Sequence, residues 1–230
     1  MIFDPSKPPL TDSAGLLKSI PVEAGPEIWK RATRVISSGL CDLQVNGFAG
    51  VDYNDPTLMP EEFEKSLFAM LSTGVTTCLP TVITGSEDWQ IKCFHALEAG
   101  RNASKLAQEM IPGYHLEGPF LNPEEGFCGC HPTKWMRPAT WDHFERLQEA
   151  AGGRITLITV APEIKGVLDL IPKLVEKGIA VAIGHCNPDR DTLLRAADAG
   201  VTLSTHLGNG IAQILPKKDN PILGQLAEDR

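Results

Sequence analysis

Six apolar, strand-like runs recur along the chain, at Leu40–Val45, Val75–Thr84, Ile111–Leu116, Ile155–Val160, Ile179–Ile183 and Val201–Thr205. Helix-period segments separate them. Pro60–Ser72 sets Phe63, Leu67, Met70 and Leu71 on one side and stops at Gly74, the spacing of an amphipathic helix. Ser86 is a cap for a helix carrying Trp89, Ile91, Phe94 and Leu97, and Thr140 opens Trp141–Ala151. A further helix over Gly166–Lys177 ends at Gly178, and Asn187–Pro188 reads as a cap with proline at the first helical position of a helix ending at Gly200. Strand and helix alternate throughout, which predicts a parallel sheet with right-handed crossovers. Residues 1–34 interrupt any such pattern with Pro5, Pro8, Pro9, Pro21 and Pro26, and read as an irregular lead-in to a domain over 35–230.

An open doubly wound sheet and a (β/α)8 barrel both fit this order, with strand starts recurring about every 32 residues. No glycine fingerprint of a dinucleotide fold follows a strand. The polar residues gather instead at the C-terminal ends of several strands, where a TIM barrel keeps its active site. Eight such units need about 260 residues, and 24 remain after His206. The expectation is an α/β fold holding about six of eight barrel units.

Composition narrows the class. Hydrophobic residues make up 42% and charged residues 22%, with a formal charge of −8. An acidic chain is a poor partner for a phosphate backbone or an anionic membrane, so neither nucleic acid nor membrane is expected. Met1 precedes Asp4, Pro5 and Pro8 with no basic and apolar leader, and no window suits a transmembrane helix; a cytoplasmic location is expected. Of the six cysteines, Cys128 and Cys130 form a C-x-C in a loop, and no C-x-x-C pair occurs. They are read as reduced thiols.

His185 and His206 end the fifth and sixth runs, and Glu117 directly follows the third. In a parallel barrel all three project from one rim, and two imidazoles with a carboxylate form a catalytic zinc set that leaves one position for water. Such an ion lowers the pKa of that water to about 7 and polarises a carbonyl. His115 faces the same side as Glu117, which makes it a partner supporting the ligands, a substrate contact or a buried hydrogen-bonded histidine. His95 and His143 fall in helices and are assigned to surface or packing. The Gly/Pro-rich loop from Gly118 to His131 brings His131 over the rim as a candidate contact for an anionic or hydroxyl-rich ligand. Gly208 and Gly210 flank Asn209 in a turn that offers backbone amides to a phosphate or hydroxyl.

The segments SSGLCDLQVNGFAGVDYND, TGVTTCLPTVIT, HLEGPFLNP, GHCNPD and THLGNGI, in this order, resemble the N-acetylglucosamine-6-phosphate deacetylases of the amidohydrolase superfamily. Gln44 and Asn46 stand where most amidohydrolases carry a His-x-His for a second metal. The resemblance therefore implies one divalent ion, with zinc first and iron, manganese or cobalt as alternatives, on Glu117, His185 and His206. It implies substrate contacts at Cys130 and His131 and at the turn of Asn209 and Gly210, with His131 toward the sugar phosphate. The family has a bulky aromatic at the position of Gly208 and alanine at that of Gly210. Its catalytic aspartate follows the eighth strand, so none of this chain's residues takes that role, and residues 1–34 stand for the N-terminal β-sandwich region. The implied reaction is hydrolysis of the N-acetyl group of N-acetylglucosamine 6-phosphate to glucosamine 6-phosphate and acetate, in amino-sugar catabolism. The rivals are another mononuclear amidohydrolase acting on a different acylated sugar or cyclic amide, and a non-catalytic remnant that binds metal or sugar phosphate. An incomplete barrel exposes sheet edges, with Val181, Ile183, Val201 and Leu203 expected to face inward beside the gap, so a homo-oligomer is expected.

Overall fold

The computed structural model describes residues 39–228; the expected lead-in over 1–34 lies outside them. The elements run β1 (Leu40–Val45), a small antiparallel pair β2 (Gly47–Phe48) and β3 (Val51–Asp52), α1 (Pro60–Leu71), β4 (Val75–Ile83), α2 (Glu87–Ala103), α3 (Lys105–Met110) and β5 (Tyr114–Glu117). After a 3₁₀ turn at Thr133–Trp135 come α4 (Trp141–Ala150), β6 (Ile155–Val160), α5 (Val167–Glu176), β7 (Ala180–Ile183), α6 (Arg190–Ala199), β8 (Leu203–Ser204) and α7 (Pro221–Leu226).

Local chemistry sets most boundaries. Pro60 begins α1 with Glu61 and Glu62 in its first turn, where a fixed φ and negative charge suit the helix start. Ser86 accepts from Trp89 N to cap α2, and Thr140 accepts from His143 N to cap α4. Three boundaries differ most from the sequence expectation. Strand β8 keeps only Leu203–Ser204 of the sixth run. The cap of α6 is Asp189, which accepts from Thr192 N, two residues beyond Asn187, whose N–H is bound by the Glu163 carboxylate. The third apolar run enters the sheet at Tyr114 rather than Ile111, since Ile111 closes α3, whose own cap is Ser104.

Strands β1, β4, β5, β6, β7 and β8 form one six-stranded sheet in that order, parallel from β4 onward. One face carries the main core, where Ile158, Val160, Val181 and Ile183 join Leu170, Ile171 and Leu174 of α5 and Leu193 of α6. Val181 and Ile183 therefore point to the helices. The residue between them, Ala182, faces the other way and packs with Leu79 and Leu157, as the two-residue period of a strand requires.

That second face is concave. Six flat strands spaced about 4.8 Å apart would separate the edges by about 24 Å, yet Gln44 of β1 and His206, two residues past β8, line the same cavity. Polar side chains bridge the interior: His115 Nδ1 lies 3.1 Å from Leu43 O, its Nε2 lies 2.7 Å from Thr159 Oγ1, and Thr159 Oγ1 lies 2.6 Å from Thr205 Oγ1. The parallel sheet is thus curled into a half-barrel with helices outside. Among the described residues no helix is long and apolar enough to cross a membrane.

Candidate metal centre

Register delivers the chemistry to one rim. Glu117 pairs with Thr159, and Ile183 pairs with Ser204, so the positions two residues on, His185 and His206, leave the sheet side by side. Both histidines have left-handed backbones, with φ of 49° and 31°. That turn takes each chain out of its strand direction at the mouth of the half-barrel.

Glu117, His185 and His206 each offer one ligand atom, all within 4.8 Å of one another. Glu117 Oε1 lies 3.0 Å from His206 Nε2 and 3.5 Å from His185 Nε2. A tetrahedral ion with bonds of about 2.0–2.1 Å separates its ligands by about 3.3 Å, so the spacing fits. The hydrogen-bond pattern fits as well. His185 Nδ1 is 2.9 Å from Phe127 O; a carbonyl only accepts, so Nδ1 carries the proton. In the neutral ring Nε2 then turns a bare lone pair on a carboxylate oxygen, a contact that a cation between them makes favourable.

Burial acts to raise the pKa of Glu117, but its contacts with His185 and His206 and the nearby His131 and His115 rings outweigh it and hold the carboxyl well below the usual range. The hydrogen bond to Glu117 raises the pKa of His206 against burial. His131 lies 3.7 Å from Glu117 Oε2, with its ring 4.4 Å from that of His185. Burial pushes its pKa down to about 4, against the attraction of Glu117, so it is neutral at ordinary pH. Thr84 Oγ1, 2.9 Å from His131 Nδ1, fixes that ring.

The expected substrate contacts share one cavity of about 560 Å³ with the cluster: Cys130, His131, Asn209 and Gly210 line it, as do Gln44 and Asn46. This volume suits a small ligand. Backbone approaches His185 closely, as a Cβ at Gly210 would fall 2.5 Å from the imidazole, and one at Gly129 2.7 Å. Both glycines have positive φ, so side chains there meet strain as well as a clash. His115 is buried beneath the cluster in the polar chain of the concave face, not among the three ligands. His143 packs against Phe120 and pairs with Glu87, and His95 lies within α2, as their helical placement predicts. Asp189 caps α6, Asp191 and Asp198 lie within it, and Asp219 lies just before α7.

The sequence did not single out Asp52 and Asn54, which line the outer wall of the cavity. Asn54 donates to Thr81 O and accepts from Ile83 N, fastening β3 to the end of β4. The two-residue strands β2 and β3 are too short to leave a period in the sequence.

Comparison with known proteins follows the same lines. No family model matches the chain. It is 30% identical over 212 residues to N-acetylglucosamine-6-phosphate deacetylase of Bacillus subtilis, covering 88% of this chain and 51% of the relative. It is 33% identical over 221 residues to N-acetylgalactosamine-6-phosphate deacetylase of a Shewanella species, covering 94% of this chain and 53% of the relative. Among solved structures, a mutant N-acetyl-D-glucosamine-6-phosphate deacetylase of Mycobacterium smegmatis in complex with N-acetyl-D-glucosamine-6-phosphate superposes with a TM-score of 0.72 at 28% identity, over 83% of this chain and 48% of that one. The chain spans about half the length of the curated relatives it matches.

Proposed function

This chain belongs, over the stretch it shares with them, to the family of the N-acetylglucosamine-6-phosphate deacetylases, and from that premise we propose that its site serves hydrolysis of the N-acetyl group of a 6-phosphorylated amino sugar. The observation that carries the reading is the convergence of Glu117, His185 and His206 at the rim of a cavity large enough for such a ligand. In this reading the curled sheet is six units of a TIM barrel of the metal-dependent-hydrolase type, within a domain over 35–230. Zinc is the proposed ion, because two imidazoles and one carboxylate match its catalytic ligand set. Bound there, a divalent ion supplies Lewis acidity toward an amide carbonyl and lowers the pKa of a water.

The chain's own residues bind and orient. His185, with Nδ1 held by Phe127 O, presents Nε2 toward Glu117 as a ligand atom. When Thr84 donates to Nδ1 of His131, Nε2 of that neutral ring carries a proton toward the cavity, where a substrate oxygen accepts it. Cys130 and the turn of Asn209 and Gly210 line the remaining wall and take the sugar and its phosphate. Gly210 lets the backbone of that turn lie against the His185 imidazole, where a methyl would clash. Exposed Leu203 in β8, Leu207 just past it, Ile214 in the loop that follows, and Leu223 and Leu226 on α7 support a homo-oligomer, and the cytoplasm is the proposed compartment.

Calorimetric titration of the zinc-loaded chain with N-acetylglucosamine 6-phosphate and with its galacto epimer tests the reading. Saturable binding that needs the metal and weakens in His131→Ala is expected, and the tighter epimer names the sugar. Absence of binding by either sugar to zinc-loaded chain would overturn it.

A further inference from the structure

Glu163 sits in the loop after β6 and has no part in the chemistry above. Its Oε1 accepts two hydrogen bonds, from Asn187 N at 2.5 Å and from Asn122 Nδ2 at 2.9 Å. Its Oε2 is buried with no hydrogen-bond partner among the described residues. Asn122 in turn donates its backbone N–H to His185 O at 3.1 Å. These bonds close a ring: from His185 O to Asn122, through its side chain to Glu163, on to Asn187 N, and back along the chain through Cys186.

A second path leaves the same asparagine. Asn122 Oδ1 accepts from Glu124 N at 2.8 Å, Glu124 O accepts from Phe127 N at 3.0 Å, and Phe127 O accepts from His185 Nδ1 at 2.9 Å. The backbone and the imidazole of His185 are therefore both tied to one Glu163–Asn122 pair. This matters because His185 is a non-glycine residue at φ 49°, a conformation that persists only where the surroundings hold it.

We propose that Glu163 is a positioning residue for the metal centre: its Oε1 closes the hydrogen-bonded ring that holds His185 in its left-handed backbone and so keeps Nε2 aimed at Glu117. The proposal rests on the reading of His185 as a metal ligand. One oxygen does this work, since both donors converge on Oε1. A glutamine amide oxygen accepts the same two bonds, and its NH₂ replaces the oxygen that has no partner. Alanine opens the ring. Residues that orient a ligand in this way change metal affinity by about 10–100-fold when removed.

The test is Co²⁺ titration of the full chain, read by the visible absorption of the bound ion, for the unmodified protein, Glu163→Gln, Glu163→Ala and Asn122→Ala. Hydrogen exchange of the Asn122 and Asn187 amides in the metal-free proteins accompanies it. Glu163→Ala should weaken Co²⁺ by about 10–100-fold, alter its spectrum and speed exchange at both amides, while Glu163→Gln should match the unmodified protein in all three. Asn122→Ala, which keeps its backbone N–H but removes both the bond to Glu163 and the acceptor for Glu124 N, should also weaken Co²⁺, and it decides the matter if Glu163→Ala fails to fold. Equal Co²⁺ affinity and spectrum in Glu163→Ala, or an Asn122→Ala protein indistinguishable from the unmodified one, would overturn the role of Glu163. An unmodified protein that binds no Co²⁺ would overturn the metal reading instead. The exchange measurement still judges the ring in that case: unchanged rates in Glu163→Ala refute it.

Discussion

Replacing Thr159 with valine removes one hydroxyl from the concave face and leaves the shape of the side chain nearly intact. That hydroxyl is 2.7 Å from His115 Nε2 and 2.6 Å from Thr205 Oγ1, in the middle of the polar chain that joins β1 to the end of β8. Its loss strands two buried atoms, while His115 Nδ1 keeps its 3.1 Å contact with Leu43 O. A buried polar atom left without a partner costs about 1–3 kcal/mol. A cavity of about 240 Å³ adjoins His115 and Thr205, and water entering from it recovers part of that cost. Thr159→Val should therefore destabilise the fold by about 2–4 kcal/mol, whereas Thr159→Ser, which loses one methyl, should cost no more than about 1.5 kcal/mol. With a urea m-value of about 2–3 kcal/mol/M, the valine variant moves the midpoint down by about 1 M. Urea titration followed by circular dichroism reads both. A valine variant within about 0.5 kcal/mol of the unmodified chain, the scatter of an ordinary surface substitution, would refute the claim that this chain of hydroxyls and His115 holds the curl. Equal losses in serine and valine variants would refute it as well.

Acid should weaken the metal-free chain. Burial holds His115 and His131 at pKa values of about 4, so between about pH 6.5 and 4 the unfolded chain binds protons that the folded one refuses, and stability falls as pH falls by up to ~1.4 kcal/mol per unit for each ring. His206, with its pKa raised by Glu117, gives its opposite contribution above that window; equal urea midpoints at about pH 6.5 and 4.5 would contradict the burial argument. At Gly100 an added Cβ falls 2.5 Å from the buried ring of Phe63, so the overpacking in Gly100→Ala, about 1–3 kcal/mol, should exceed the helix-propensity gain of about 1 kcal/mol. A lowered Tm is expected by calorimetry, and a rise would contradict the packing of α1 on α2. Light scattering should find an oligomer that shifts toward monomer in Leu223→Lys, whose parent side chain is 59% exposed; a monodisperse monomer of the unmodified chain would contradict the exposed surface as an interface.

Much of the site is legible in the sequence because parallel strands end at one rim. Glu117, His185 and His206 are strand-end residues that the topology alone brings together, and His131, Asn209 and Gly210 belong to rim loops, whereas Cys130 is marked only by the family resemblance. The helix caps Ser86 and Thr140 were equally plain, since a hydroxyl before an amphipathic run is a local signal. What escaped depends on distant partners. The cap of α6 is Asp189 rather than Asn187, and the N–H of Asn187 goes instead to Glu163, 24 positions earlier. The inner face of β7 proved to be Ala182 rather than Val181 and Ile183, because the larger residues fill the thicker layer against the helices. Asn54 and Glu163 are single polar residues in loops, and only the folded chain brings them to their hydrogen-bond partners.

Whether Glu117, His185 and His206 hold one divalent ion is answered by the metal content of the chain after zinc loading and gel filtration, measured by inductively coupled plasma mass spectrometry beside a His185→Ala/His206→Ala double variant. About one zinc per chain in the unmodified protein and its loss from a folded double variant is the expected result. Equal zinc in the two proteins would contradict the assignment of these three residues as the metal centre.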